Sequence, residues 1–151
     1  MRVLKAAQGD ILDLAFSPDG RAIAVAVEDD GVFLWNLEGS ERKLVELPPD
    51  LRPSGQLARL HAEFSLDGRC LVIFGSTVEL VDSRTGRLLA EPSGFRFVIR
   101  CAVFSPDGRF LVTGEADHSP AGERGSIEGY LRFWDKTGAQ PLGPPVGFSE
   151  G

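Results

Sequence analysis

One hexapeptide, present three times, constrains this chain more than any other feature. Phe16-Ser17-Pro18-Asp19-Gly20-Arg21 returns unchanged at 104–109 and, with Leu66 in place of the proline, at 64–69. Ser-Pro-Asp-Gly suits a type I turn: proline presets φ at the second position, and glycine at the fourth leads out without a Cβ clash. Each copy therefore closes one strand and opens the next. After the first and third copies come an apolar strand, a polar turn and a second strand ending in Leu34-Trp35-Asn36 or Phe133-Trp134-Asp135, and the middle copy ends in Leu80-Val81-Asp82. Phe16 to Trp35 spans 19 positions, Phe64 to Val81 spans 17 and Phe104 to Trp134 spans 30, differences that fall in the turn between the second and third strands of each unit.

Period, turn and tryptophan together resemble the WD-repeat β-propeller family, in which a repeat of roughly 40 residues forms one four-stranded blade. The resemblance covers nearly the whole chain. It implies an all-β fold, a partial β-propeller of three four-stranded antiparallel blades, with blade 1 at 11–47, blade 2 at 57–91, blade 3 at 98–147, and 1–10 as the outer strand of a preceding blade and a linker. It also implies a hydrogen-bonded set of His, Ser or Thr, Asp and Trp in each blade. Carried over position by position, the third repeat supplies Thr113, Asp117 and Trp134, and the first supplies Asp29 and Trp35 with Val25 where Ser or Thr is expected. The middle repeat supplies no such set. Ala6-Ala7, Ser54-Gly55 and Gly94-Phe95 stand where a Gly-His pair is expected. The structural repeat positions are thus Phe16, Asp29, Trp35, Phe64, Phe104, Thr113, Asp117 and Trp134, and apolar packing has to do more than the polar set.

Residues 21–27 carry Ile23, Val25 and Val27 on one face and Ala22, Ala24 and Ala26 on the other. A strand apolar on both faces is covered on both, as when blades stack. The prolines at 48, 49 and 53 mark a linker between blades at 48–57, and those at 141, 144 and 145 let the last segment serve as an edge strand only in part.

The balance of 16 basic and 22 acidic side chains, net −6, opposes a nonspecific polyanion-binding role, since phosphate contacts need clustered Lys and Arg. Nucleic acid is not an expected partner. No run is apolar and long enough to cross a membrane, and 1–5 lacks the pattern of a signal peptide, so a cytoplasmic chain without a membrane partner is the expectation. Cys70 and Cys101 fall on apolar strands and read as free buried thiols.

Catalytic, cofactor-binding and metal-ligating sets are not legible. His61 and His118 have no Cys or carboxylate at ligand spacing. The repeated Asp19, Asp67 and Asp107 give one carboxylate per turn, far short of the roughly six to eight oxygens that calcium takes. No cofactor is expected, and the chain is not expected to be an enzyme. The expected function is a noncatalytic protein–protein interaction scaffold presenting loops on one propeller face. The insertion at 118–128 and the long connection after Trp35 emerge on the same face in the resembled fold, and Phe95, Arg96, Phe97, His118, Arg124 and Ile127 are the candidate partner-binding residues. The alternative is a structural or targeting segment of a larger multidomain signalling protein with a kinase or ATPase module, because similar arrays occur in large bacterial proteins of that kind.

Three blades cannot close a ring that takes roughly four to eight. Either further blades come from the same longer chain or a second copy supplies them. The ends carry no capping signal, which favours the longer chain.

Overall fold

A computed structural model describes residues 9–28, 30–39, 42–45, 60–116 and 128–149. Asp29, Asp117, His118, Arg124 and Ile127 lie outside the described residues, as do the expected outer strand in 1–10 up to residue 8 and the linker at 48–57.

Every regular element among the described residues is a β-strand. The first unit contains β1 (Ile11–Phe16), β2 (Ala22–Val27), β3 (Gly31–Asn36) and β4 (Arg42–Val45); the second contains β5 (His61–Phe64), β6 (Cys70–Phe74), β7 (Val78–Asp82) and β8 (Leu88–Ala90). The third contains β9 (Val98–Phe104), β10 (Phe110–Ala116), β11 (Glu128–Asp135) and β12 (Val146–Ser149). Each unit is one four-stranded antiparallel meander with its strands paired in chain order. These are three propeller blades.

The hexapeptides make the turns that their composition dictates. Gly20, Gly68 and Gly108 donate their N–H groups to the carbonyls of Ser17, Ser65 and Ser105 at 2.8 Å, the i to i+3 bond of the turn. All three glycines have φ between +67° and +69°, a region that side chains disfavour. The serine and aspartate add a second lock, because Ser17 Oγ donates to Asp19 Oδ1 at 2.6 Å and Arg21 N–H donates to the same oxygen at 3.0 Å. Ser65 with Asp67 and Ser105 with Asp107 repeat it.

Part of the extra length in the third repeat is strand rather than loop. The β10–β11 ladder runs out to Ala116 opposite Gly129, one rung past Glu115 opposite Tyr130, whereas the β2–β3 ladder stops at Val27 opposite Gly31. The outer strand β12 begins only after the prolines and pairs with the start of β11, while Pro141 makes a single bridge to Trp134.

The core lies between blades rather than within one. Ala24, Ala26, Val32 and Leu34 of blade 1 pack on Ala62, Phe64, Leu71 and Ile73 of blade 2. Val72, Val78 and Leu80, on the other side of blade 2, pack on Ala102, Phe104, Leu111 and Trp134 of blade 3. Ala24, Val25, Ala26 and Val27 are all buried, which accounts for a strand apolar on both faces. Cys70 is half-buried, and burial pushes its thiol pKa up. Cys101 is exposed, contrary to the buried thiol expected from its apolar strand. Cys101 pairs with Gly114, whose lack of a Cβ leaves room for the sulfur, and both stand on the side of blade 3 facing away from blade 2.

Candidate protein-interaction site

Along the inner strands, carboxylates tie one blade to the next. Asp13, next to the register shift of β1, accepts the N–H of Ala62 at 3.1 Å and lies 3.1 Å from His61 Nδ1, while the His61 ring stacks on Phe74 with centroids 5.2 Å apart. Glu63 faces the backbone of Phe104, one blade further on, whose amide favours the ionised carboxyl. Burial raises the pKa of Glu63, and the negative charge of Asp13 adds to the rise. His61 is a structural contact between blades 1 and 2.

Blade 3 holds a second polar cluster. Glu115, almost fully buried on β10, accepts Arg132 Nε at 2.6 Å and the N–H groups of Arg96 and Phe97 at 2.6 and 3.0 Å. Burial pushes the Glu115 carboxyl up, but the bonds from Phe97, Arg132 and Arg96 outweigh it and leave the pKa below its ordinary value. Phe95 tilts against Trp134 with centroids 5.5 Å apart and lies 5.6 Å under the Arg132 guanidinium; Phe97 stacks on Tyr130 at 5.8 Å. Thus Phe95 stands where the family has histidine and packs against the blade tryptophan, and Phe97 is held the same way. Of these three candidate contact residues, Arg96 alone is exposed.

Thr113 Oγ1 accepts the indole N–H of Trp134 at 3.0 Å inside the blade. Phe64, Phe104 and Trp134 are buried between blades, Trp35 is buried, and Phe16 is exposed.

At the end of the sheets where the hexapeptide turns lie, blades 2 and 3 leave a groove of about 710 Å³. Leu66, Leu80, Leu89 and Phe104 give it an apolar lining, and Arg69 and Lys136 contribute charge. Leu66 and Leu89 are exposed although apolar. The junction of blades 1 and 2 has a smaller counterpart of about 560 Å³, which Leu66 also lines. A volume of this size suits a peptide side chain or small ligand.

The walls are stiff. Asp67 accepts Ser65 Oγ at 2.7 Å, and this bond, with one from the Arg69 N–H, holds its carboxyl below the ordinary range. Asp135 and Asp82 fix the third-to-fourth-strand turns through Thr137 and Thr85, and Ser83 Oγ donates across to the Gly68 carbonyl. Among the described residues there is no cluster of three or more His, Cys, Asp or Glu side chains that could hold a metal ion, and no helix long and apolar enough to cross a membrane.

Sequence reasoning missed Glu115, Arg132, Asp13, Asp82, Asp135 and the leucine groove. Two signals were available. The Asp-x-x-Thr-Gly at 82–86 and the Asp-Lys-Thr-Gly at 135–138 are turn signatures, and Leu66 is the one departure from the repeated hexapeptide.

The family pattern described as "WD domain, G-beta repeat" matches residues 1–36 and 86–135. The unmatched middle holds the repeat with Leu66 for proline and Val81 for tryptophan. The Protein LST8 homolog of Drosophila melanogaster is 32% identical over 72 residues, 47% of this chain and 23% of that protein. The probable cytosolic iron-sulfur protein assembly protein CIAO1 homolog of Caenorhabditis elegans is 31% identical over 106 residues, 66% of this chain and 32% of that protein. The chain therefore spans about a quarter to a third of the length of these relatives. In fold it is similar to U3-55K, with a TM-score of 0.72 at 19% identity over 96% of this chain and 41% of that one. It is also similar to the computationally designed Ika4 protein, with a TM-score of 0.67 at 21% identity over 97% of this chain and 78% of that one. With more than half of its length matched by the family pattern and three four-stranded blades in its fold, the chain belongs to the WD-repeat β-propeller family.

Proposed function

We propose that the chain is a noncatalytic protein–protein interaction scaffold that receives a partner segment on its turn face, in the groove between blades 2 and 3. The observation that carries this reading is the pairing of exposed leucines with stiff walls. Leu66 and Leu89 stay in water beside a groove of about 710 Å³ whose turns are locked by serine–aspartate bonds. Apolar anchors on a preorganised surface bind with little ordering cost. The acidic balance of the chain favours protein over nucleic acid as the partner. A cytoplasmic setting and the absence of a membrane partner belong to the same reading.

The second reading is a structural or targeting segment of a larger multidomain signalling protein, a kinase or ATPase. The open outer side of blade 3 favours it, since further blades of a longer chain would cover that side. The loop residues His118, Arg124 and Ile127, with Arg96, remain the competing contact set within the scaffold reading.

Quantitative affinity capture separates these sites. The Leu66→Asp/Leu89→Asp variant is expected to lose at least about ten-fold of a partner set that the parent captures, while a chain lacking 118–128 keeps it. Loss on deleting 118–128 alone would move the site to the loop. Retention by both variants would contradict a partner site on either face.

A further inference from the structure

On the turn face, the second position of each hexapeptide turn contributes to one row. Pro18 of blade 1 and Leu66 of blade 2 both line the groove of about 560 Å³ at the first junction, and Leu66 and Pro106 of blade 3 both line the groove of about 710 Å³ at the second. The first step of the row is close, since a Cβ on Gly68 would stand 3.5 Å from Pro18 Cδ. Leu66, 55% exposed, belongs to both grooves and joins them into one apolar track over blade 2. Both junctions are made by blades within the chain.

The charges beside this track are not equivalent. Asp19, Asp67 and Asp107 line it, but the Oδ1 of each already accepts a serine hydroxyl and an arginine backbone N–H of its own turn. The cations are placed differently. Arg21 pairs with Glu38 at 3.4 Å and Arg109 lies 5.4 Å over the Phe110 ring. Arg69, the hexapeptide arginine that lines the larger groove, is exposed and has neither kind of partner among the described residues. From the third-to-fourth-strand turns, Arg84 lines the smaller groove and Lys136 the larger one. Both are exposed, and neither has a carboxylate at ion-pair distance among the described residues. The track thus combines apolar contacts with cations free of ion pairs, while its carboxylates are bonded into their own turns.

We infer that this track takes an acidic partner segment in extended form, laid across Leu66 so that its apolar side chains enter the two grooves and its carboxylates meet Arg84 at one junction and Arg69 and Lys136 at the other. The inference rests on the groove reading proposed above and gives the partner its chemistry and its path. Charge complementarity selects the occupant, because a basic segment would bring like charge against cations that no carboxylate of the chain pairs with. An exposed ion pair contributes little alone, so the choice of partner comes from several pairs acting beside the apolar contacts. An extended segment is required because the grooves belong to successive junctions and a single side chain fills only one of them.

The test is selection from a random dodecapeptide library displayed on phage, with the 151-residue chain as bait and its Leu66→Asp/Leu89→Asp variant as the control. The peptides that the parent retains and the control loses are expected to be rich in Asp and Glu beside Leu, Ile or Phe. Fluorescence polarisation of selected peptides should show binding at least about ten-fold weaker to Arg69→Glu/Lys136→Glu and about three-fold weaker to Arg84→Glu, with affinity falling as salt rises. All three cations are exposed, so the variants should keep the far-ultraviolet circular dichroism of the parent. Selected peptides without acidic enrichment, or with affinity indifferent to the substitutions at either junction, would overturn the inference and leave the leucine groove standing. If the parent retains no peptides that the control loses, the groove reading falls with it.

Discussion

Trp134 donates its indole N–H to Thr113 Oγ1 at 3.0 Å, whereas Trp35, at the same place in the first blade, has Val25 in the threonine position and no acceptor for its buried N–H among the described residues. The two blades have the same register here, since Trp35 pairs with Ile23 as Trp134 pairs with Leu111. Thr113→Val should therefore destabilise the chain by about 1–3 kcal/mol, the cost of leaving a buried donor unpaired. Val25→Thr should leave stability unchanged or raise it, because the new hydroxyl meets a waiting N–H. Urea unfolding of both variants measures this, and a loss on Val25→Thr as large as that on Thr113→Val would contradict the register argument.

Glu115 fastens the 94–97 segment to blade 3 through two backbone N–H groups and Arg132. Replacing it by alanine leaves those donors and a largely buried guanidinium without their acceptor. A loss of about 3–5 kcal/mol is expected, comparable to breaking a buried ion pair from one side. Arg96→Ala should change stability by less than about 0.5 kcal/mol, because that side chain is exposed and its backbone N–H survives the substitution. Thermal unfolding of the pair gives the comparison.

Two turn glycines separate backbone strain from packing. Gly108 has φ +67° and open space where a Cβ would stand, so Gly108→Ala tests conformation alone, with an expected cost of about 1 kcal/mol. Gly138 has the same φ of +67°, but a Cβ there would stand 2.7 Å from Leu80 Cδ1 of the neighbouring blade. Gly138→Ala should cost about 1–3 kcal/mol more, since it overpacks the interface between blades 2 and 3. Equal costs would mean that the turn does not press on blade 2.

Acid should act on two kinds of carboxylate in opposite directions. Serine bonds lower the pKa of Asp19, Asp67 and Asp107 below the ordinary 3.8, so what they contribute is present above that value and lost as pH falls through their lowered pKa values. Glu63 is raised above its ordinary 4.5 by burial and by Asp13, so its ionisation weakens the fold as pH rises through the raised pKa. Glu63→Gln keeps the shape of the side chain and removes the charge. The variant should be more stable than the parent at pH 7 and match it below pH 4.5, where the parent is protonated too. A pH series of melting temperatures reads the crossover.

The strands were legible because one hexapeptide fixes both a turn and the phase of the strands on either side of it. Residues 70–74 and 98–104 follow directly from that phase, and both coincide with observed strands, β6 and β9. Contacts within a hairpin were partly legible as well, since Thr113 and Trp134 meet across two neighbouring strands. Contacts between blades were not. Asp13 meets Ala62 across 49 positions, and nothing local in the sequence shows that the first strands of successive blades approach each other. The same holds for the groove, since Leu66 lines it only when Leu89 and Lys136 arrive beside it from other turns and strands. Cys101 shows the reverse error. Its strand is apolar, but it stands on the side of blade 3 that faces away from blade 2.

That dependence on neighbours is the central claim, and hydrogen exchange resolved by strand tests it most directly. The amides of β6 and β7 should exchange most slowly, because their blade alone has a described blade packed on each side. Those of the edge strand β12 should exchange fastest. Slowest exchange in blade 1 or blade 3, or equal protection across all three, would contradict a molecule held together by its blade-to-blade interfaces.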